Sequence, residues 1–214
     1  MSKAVVFFSE GTEECEALLV VDLLRRAKVD VTVASASGSR EILSSHKIRI
    51  TADALAEEVD YSDVDLVVLP GGIPGTPNLA ANKTVTDTCT AFAKSGKKVA
   101  AICAAPSVLA SLGLLEGKNA TAHAGFQDKL AGAHVLDAKW SWTATSPPAT
   151  VWVVPSRLHW SWCASWPGRP RPTASGTPSP TGTERRPVPC VLSPALARMV
   201  WRSPPSSLPT APPS

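Results

Sequence analysis

The chain has 214 residues, enough for one domain with a sizeable core. Its formal net charge of +3 sums two unlike parts: the first 139 residues carry about −3, while the last 75, with seven Arg, a single acid (Glu184) and no Lys, carry +6. The positive balance is therefore no nucleic-acid signature of the folded part. No run of about 18 apolar residues suits a membrane span, and the five cysteines (15, 89, 103, 163 and 190) show neither a CxxC pair nor a His/Cys ligand spacing, which argues against a zinc site and a secreted disulfide framework.

The chain enters its first strand directly after Met-Ser-Lys, with no signal peptide, so a reducing cytosol is the expected compartment. Ala4 to Phe8 is a continuous apolar run, the mark of a strand covered on both faces. Ser9 to Thr12 reads as a turn, and Glu13 and Glu14 suit the first turn of a helix through Ala17, Leu18, Val21, Leu23 and Leu24 to the basic pair Arg25 and Arg26. Val29 to Ala34 is the second strand. Glu41 to Leu43 and Lys47 to Ile50 form a short excursion or hairpin, followed by Ala52 to Val59. Leu66 to Leu69 is a buried strand ended by Pro70-Gly71-Gly72. Asn78 to Ala93 has a helical pattern with a break near Asn82. Lys97 to Ile102 is the next strand, Pro106 opens a helix to Leu115, Ala120 to His123 is a strand end, Gln127 to Leu130 a helical turn and His134 to Leu136 a strand. Strands alternating with helices in units of roughly 30 residues predict a mostly parallel α/β sheet with helices on both faces, a flavodoxin-like or Rossmann-like three-layer sandwich.

In such sheets ligands sit at the carboxyl ends of the strands. Cys103 lies there, at a strand-to-helix turn followed by Ala104, Ala105 and Pro106, small residues that permit a tight nucleophile elbow. A sulfur at the positive end of a helix dipole favours the thiolate. Taken alone, such a cysteine is equally readable as a buried structural residue. Three further features fall on the same edge. Glu16, in the first turn after strand one, can share a proton with the thiol. His123 can serve as general acid or base. The Gly71-Gly72 turn, with the N–H of Ala104, can supply an oxyanion site. Each has an ordinary structural reading; the set on one edge points to a reactive thiol.

Leu66-Val-Val-Leu-Pro-Gly-Gly72, then Ala100-Ala-Ile-Cys-Ala-Ala-Pro106, together with Glu13-Glu-Cys-Glu16 and Val31-Thr-Val-Ala34, closely resemble the DJ-1/ThiJ/PfpI superfamily over about residues 3 to 138. The resemblance implies that Cys103 is the nucleophile, Glu16 the glutamate that hydrogen-bonds it, His123 the histidine of the following strand and Gly72 the oxyanion-type glycine. It implies a homodimer and a cofactor-free, metal-free glyoxalase or deglycase acting on methylglyoxal, glyoxal or their early adducts with amines. The rival is a redox-sensing stress protein or chaperone working through Cys103 oxidation, and a peptidase is a third option. Neither a membrane nor a nucleic-acid partner is expected.

The resemblance covers a domain at 1–138, and composition changes at 139. All seven Trp and sixteen of the twenty Pro follow that point. Reading from Lys139 one base earlier, with the third base of each codon joined to the first two of the next, forces an aspartate at the Trp142–Thr143 junction. It forces a glycine at the Trp152–Val153 junction, and it permits the strand, Asp-Gly turn, strand and Thr-Ser loop with which the resembling family continues. We therefore read residues 139–214 as a non-homologous Pro/Trp/Arg-rich tail translated out of frame. It is expected to be disordered, mostly over 165–214, with a short helix around Pro194 to Trp201. The alternative is a genuine tail for partner or anionic-surface binding.

Overall fold

The computed structural model describes residues 2–137, 141–145 and 149–154, all within one compact unit spanning Met1–Arg169. In chain order the elements are β1 (Lys3–Phe8), α1 (Glu14–Arg26), β2 (Asp30–Ser35), β3 (Glu41–Leu43), β4 (Arg49–Thr51), β5 (Ala54–Leu55), β6 (Leu66–Leu69), α2 (Gly75–Ala81), α3 (Lys83–Ser95), β7 (Lys98–Ile102), α4 (Pro106–Ser111), β8 (Asn119–Ala120), β9 (His134–Val135), β10 (Ser141–Thr145) and β11 (Ala149–Val154). The main sheet has seven strands in the order β10-β11-β7-β6-β1-β2-β5. All its pairings are parallel except β10 with β11, so it is the mostly parallel α/β sheet that the alternation predicts.

The apolar runs explain why β1, β6 and β7 are central. Val5 to Phe8 are fully buried, as are Val67, Leu69 and Val99, so each strand is covered on both faces. Side chains alternate in direction along a strand. Val5, Phe7, Val67, Leu69 and Val99 share one cluster with Leu79 of α2, Val85 and Phe92 of α3, and Val108 and Leu109 of α4. Val6 and Phe8 project to the opposite face, where α1 packs on β1 and β2 with Ala17, Val21 and Leu24 buried. Each fully buried Val, Leu or Phe contributes about 1.5–3 kcal/mol. These two layers hold the carboxyl ends of β1, β6 and β7 in fixed register (Val6 opposite Val68, Leu69 opposite Ala101), which positions the site.

The break at Asn82 separates two helices: its carboxamide oxygen accepts from Val85 N at 3.1 Å and caps α3, while its backbone ends α2. Gly96, at φ 80, closes α3 in the left-handed conformation. Other boundaries differ from expectation. The helix after Cys103 ends at Ser111 rather than Leu115, because Gly113 takes φ 70 and turns the chain. Ala52 to Val59 resolves into the short β5 and a single 3₁₀ turn. β8 and β9 pair with each other as a separate two-stranded sheet.

The main sheet continues past residue 138, since β11 pairs with β7 in register from Val151 opposite Val99 to Val154 opposite Ile102. The expected disorder over 165–214 and the helix at Pro194 to Trp201 lie outside the described residues. Among the described residues no helix is long and apolar enough to cross a membrane.

Candidate functional site

The chain turns sharply out of β7, and Cys103 takes the left-handed conformation at φ 61, one of three non-glycine residues to do so among those described. An L-residue there costs roughly 1–2 kcal/mol, and the burial around it imposes that conformation. Ala104 and Ala105 are almost wholly buried, Ala105 N donates to Ile102 O at 3.0 Å, and Pro106 starts α4. The thiol is left half-buried.

Glu16 reaches the thiol from the start of α1. Glu13 caps that helix, its Oε2 accepting from Glu16 N at 2.7 Å. In a reciprocal capping box the third helical residue would reach back to the cap's own N–H. Here Gly71 takes that place: its carbonyl accepts from Glu13 N at 2.9 Å, and its N–H donates to Glu16 Oε2 at 3.1 Å. The Glu16 carboxyl is thereby released to hydrogen-bond Cys103. Burial is the main influence on its acidity and pushes its pKa up. The Cys103 hydrogen bond opposes this, the negative charge of Glu13 adds to it and the Gly71 N–H opposes it again; the outcome is about 7, against 4.5 for the free group.

The two glycines divide the work differently from expectation. A Cβ on Gly71 would lie 2.6 Å from Glu16 Oε2, 2.7 Å from Cys103 Cβ and 3.1 Å from Cys103 Sγ, so this is the glycine that faces the thiol. Gly72 faces the turn after β1, with a Cβ meeting Glu13 N at 2.3 Å and Gly11 O at 2.4 Å, and it holds φ 104. Gly72 thus seats the loop against the turn after β1. Sequence spacing names the pair without assigning these roles; the Glu13-x-x-Glu16 spacing was the available signal for the cap.

His123 is exposed. Its backbone N donates to Cys103 O at 2.8 Å, which ties the following strand end to the elbow, while its ring Nδ1 accepts from Gly125 N at 3.3 Å within its own turn. The structure therefore brings Cys103, Glu16 and Gly71 together through side chains and close backbone contact, and links His123 through its main chain.

The β3–β4 hairpin turn braces the start of α1. Ser45 N donates to Thr12 O at 2.9 Å, and His46 Nδ1 pairs with Glu14 Oε1 at 2.7 Å. Among the described residues, Glu13, Glu14 and His46 are the only three His, Cys, Asp or Glu groups with ligand atoms within 4.8 Å of one another. The helix cap and the ion pair account for that closeness.

A cysteine in the left-handed conformation on a strand-to-helix elbow, with a half-buried carboxyl group hydrogen-bonded to it, sits at the carboxyl edge of a mostly parallel α/β sheet. The DJ-1/PfpI family model matches residues 2–151, and the chain belongs to that family. It is 39% identical over 127 residues to Protein DJ-1 homolog B of Arabidopsis thaliana, covering 59% of this chain and 29% of that relative, so the chain spans about a third of that protein's length. A Thermococcus kodakarensis protein named as a deglycase is 30% identical over 156 residues, covering 70% of this chain and 93% of the relative. Among solved structures, oxidized Toxoplasma gondii DJ-1 matches with a TM-score of 0.65 at 30% identity, over 72% of this chain and 82% of that one.

Proposed function

We propose that the chain is a cofactor-free glyoxalase or deglycase acting on small α-oxoaldehydes such as methylglyoxal and glyoxal, or on their early adducts with amines. The observation that carries this reading is the Glu16 carboxyl held against Cys103 with a pKa of about 7, poised to give or take a proton near neutrality. The deglycase name of the Thermococcus relative supports the substrate class.

The Cys103 thiolate adds to the aldehyde carbon of methylglyoxal. A C–S bond forms, and the carbonyl oxygen takes the Glu16 proton to give a hemithioacetal. The ionised Glu16, or His123, then removes the hydrogen from that carbon. The electron pair moves to form an enediol, and a proton returned at the neighbouring carbon yields a thioester of lactate. Water cleaves the C–S bond, releasing lactate and restoring the thiol. Overall, one water is added and no external oxidant or reductant is consumed. The N–H groups of Gly72 and Ala104 stabilise the oxyanion during addition. In the deglycase version the carbon begins attached to a protein or nucleotide amine, which departs as the leaving group. We place this activity in the cytosol and in a homodimer.

The decisive experiment is methylglyoxal loss by the purified chain against its Cys103→Ser variant. We expect activity to be abolished in the variant; equal rates would remove Cys103 from the reaction. A second reading, redox sensing, is favoured by the partial solvent exposure of Cys103. Selective sulfinate at Cys103 after mild peroxide, without methylglyoxal consumption, would establish that reading instead. The out-of-frame reading of residues 139–214 adds a control: a chain with the frame restored is expected to be the more stable and active form, and resequencing the locus tests its premise.

A further inference from the structure

Glu13, Gly71 and Glu16 form a closed circuit of three hydrogen bonds. Glu13 N donates to Gly71 O, Gly71 N donates to Glu16 Oε2, and Glu16 N donates to Glu13 Oε2, at 2.9, 3.1 and 2.7 Å. Capping alone does not call for glutamate here. Ser, Thr, Asp and Asn are the favoured caps, and they do the work with a shorter side chain. What a carboxylate adds over Ser, Thr or Asn is a negative charge, with only 14% of the Glu13 side chain exposed, beside the residue that hydrogen-bonds the thiol.

We propose that Glu13 is a positioning residue for the Cys103–Glu16 pair: its carboxylate keeps their shared proton on Glu16 and so leaves the sulfur as thiolate. The proposal rests on reading Cys103 and Glu16 as the reacting pair. When the two groups hold one proton between them, there are two arrangements: thiolate with carboxylic acid, or thiol with carboxylate. Glu13 lies next to Glu16 in the circuit, and its charge destabilises a carboxylate there more than an anion on the sulfur across the turn.

Two other titratable groups lie beside the circuit. Glu14, on the same helix, is engaged by His46 Nδ1 at 2.7 Å and by Ser45 Oγ at 3.1 Å. His46, from the hairpin turn, stands 4.0 Å from Glu13 Oε1 and is committed to Glu14 at the shorter distance. The β6 loop contributes the Gly71 N–H and the elbow contributes Cys103 itself. Burial is the main cause of the raised Glu16 pKa, and the Glu13 charge adds to it in the direction the proposal needs.

The test compares three variants of the full chain by the rate at which iodoacetamide alkylates Cys103, followed by mass spectrometry of the Cys103 peptide across pH. Glu13→Gln removes the charge. Glu13→Ser removes the charge and keeps a strong cap, so it serves where the Gln variant folds poorly. Glu13→Asp keeps both charge and cap. We expect Gln and Ser to slow alkylation by about threefold or more between about pH 5 and 7, since a tenfold change corresponds to one pKa unit, while Asp follows the wild type. A Gln or Ser variant whose profile superimposes on the wild type overturns the proposal. So does an Asp variant slowed as much as Gln, because geometry rather than charge would then be at work. The readout uses no aldehyde substrate. A wild-type chain inert toward methylglyoxal that shows the expected pattern upholds Glu13 in this role and rejects the glyoxalase reading.

Discussion

Two helix starts in this molecule solve the same problem to different ends. At α3, Asn82 caps by accepting from Val85 N, and its Nδ2 donates to Ala36 O, both contacts that fasten the helix start to the fold. At α1, Glu13 caps with its side chain on Glu16 N, but the residue it anchors is turned outward to the thiol, and a loop from another strand enters between cap and helix. Both ends satisfy orphan N–H groups. The difference is that α1 leaves a carboxyl group against the thiol, with its pKa pushed up by burial to about 7. The cap of α1 is completed by a residue distant in sequence, Gly71, whereas that of α3 is local.

Substitutions at the two ends should therefore separate sharply. The largest effect is expected at Glu16. Glu16→Gln should lower methylglyoxal turnover by about 10²–10⁴-fold, the usual worth of a positioned acid–base group. It should also remove a pH dependence of stability. The folded chain binds the Glu16 proton more tightly than the unfolded chain, so this group's contribution is complete below about pH 4.5 and is lost as pH rises through about 7. Wild-type unfolding free energy is expected to fall by about 2–3 kcal/mol across that window from this group, whereas the Gln variant should show a flatter profile in denaturant titrations. Equal slopes for the two would reject the buried-carboxyl assignment.

Next comes Gly71→Ala. Its methyl would press on both Glu16 and Cys103, so we expect turnover to drop by about 10²-fold through misplacement and stability to fall by about 1–3 kcal/mol, read by kinetics and thermal melting. Unaltered kinetics would show that the loop yields freely. The smallest effect is expected at the other helix: Asn82→Ala should cost about 1 kcal/mol and leave the alkylation rate of Cys103 at the wild-type value. A change in thiol reactivity there would mean that the two helix ends are coupled and the contrast between them false.

Much of this was legible in the residues. The buried strands announce themselves as unbroken apolar runs, because a sheet covered on both faces has no polar side to alternate with. Asn82 marks a break because its side chain competes with the helix for backbone donors. The placement of Cys103 and Glu16 on one edge follows from the crossover rule for parallel sheets. What the residues could not disclose depends on distance through space. Gly71 and Gly72 are chemically identical, and only the approach of α1 and the elbow decides which faces the sulfur. The short α4 reflects a left-handed turn at Gly113, a backbone choice open to any glycine. The His123 ring is held by its own turn, a local contact that spacing along the chain does not encode.

The left-handed backbone at Cys103 also bears on how variants of this chain are chosen. Serine at that position would inherit the same unfavourable dihedral, whereas glycine would be relieved of it. Cys103→Gly is therefore expected to melt at a higher temperature than Cys103→Ser by the equivalent of about 1 kcal/mol, although both lack the sulfur. Selection for heat resistance alone would consequently reward loss of the thiol, and a screen meant to harden this scaffold needs a reactivity readout alongside the melting curve.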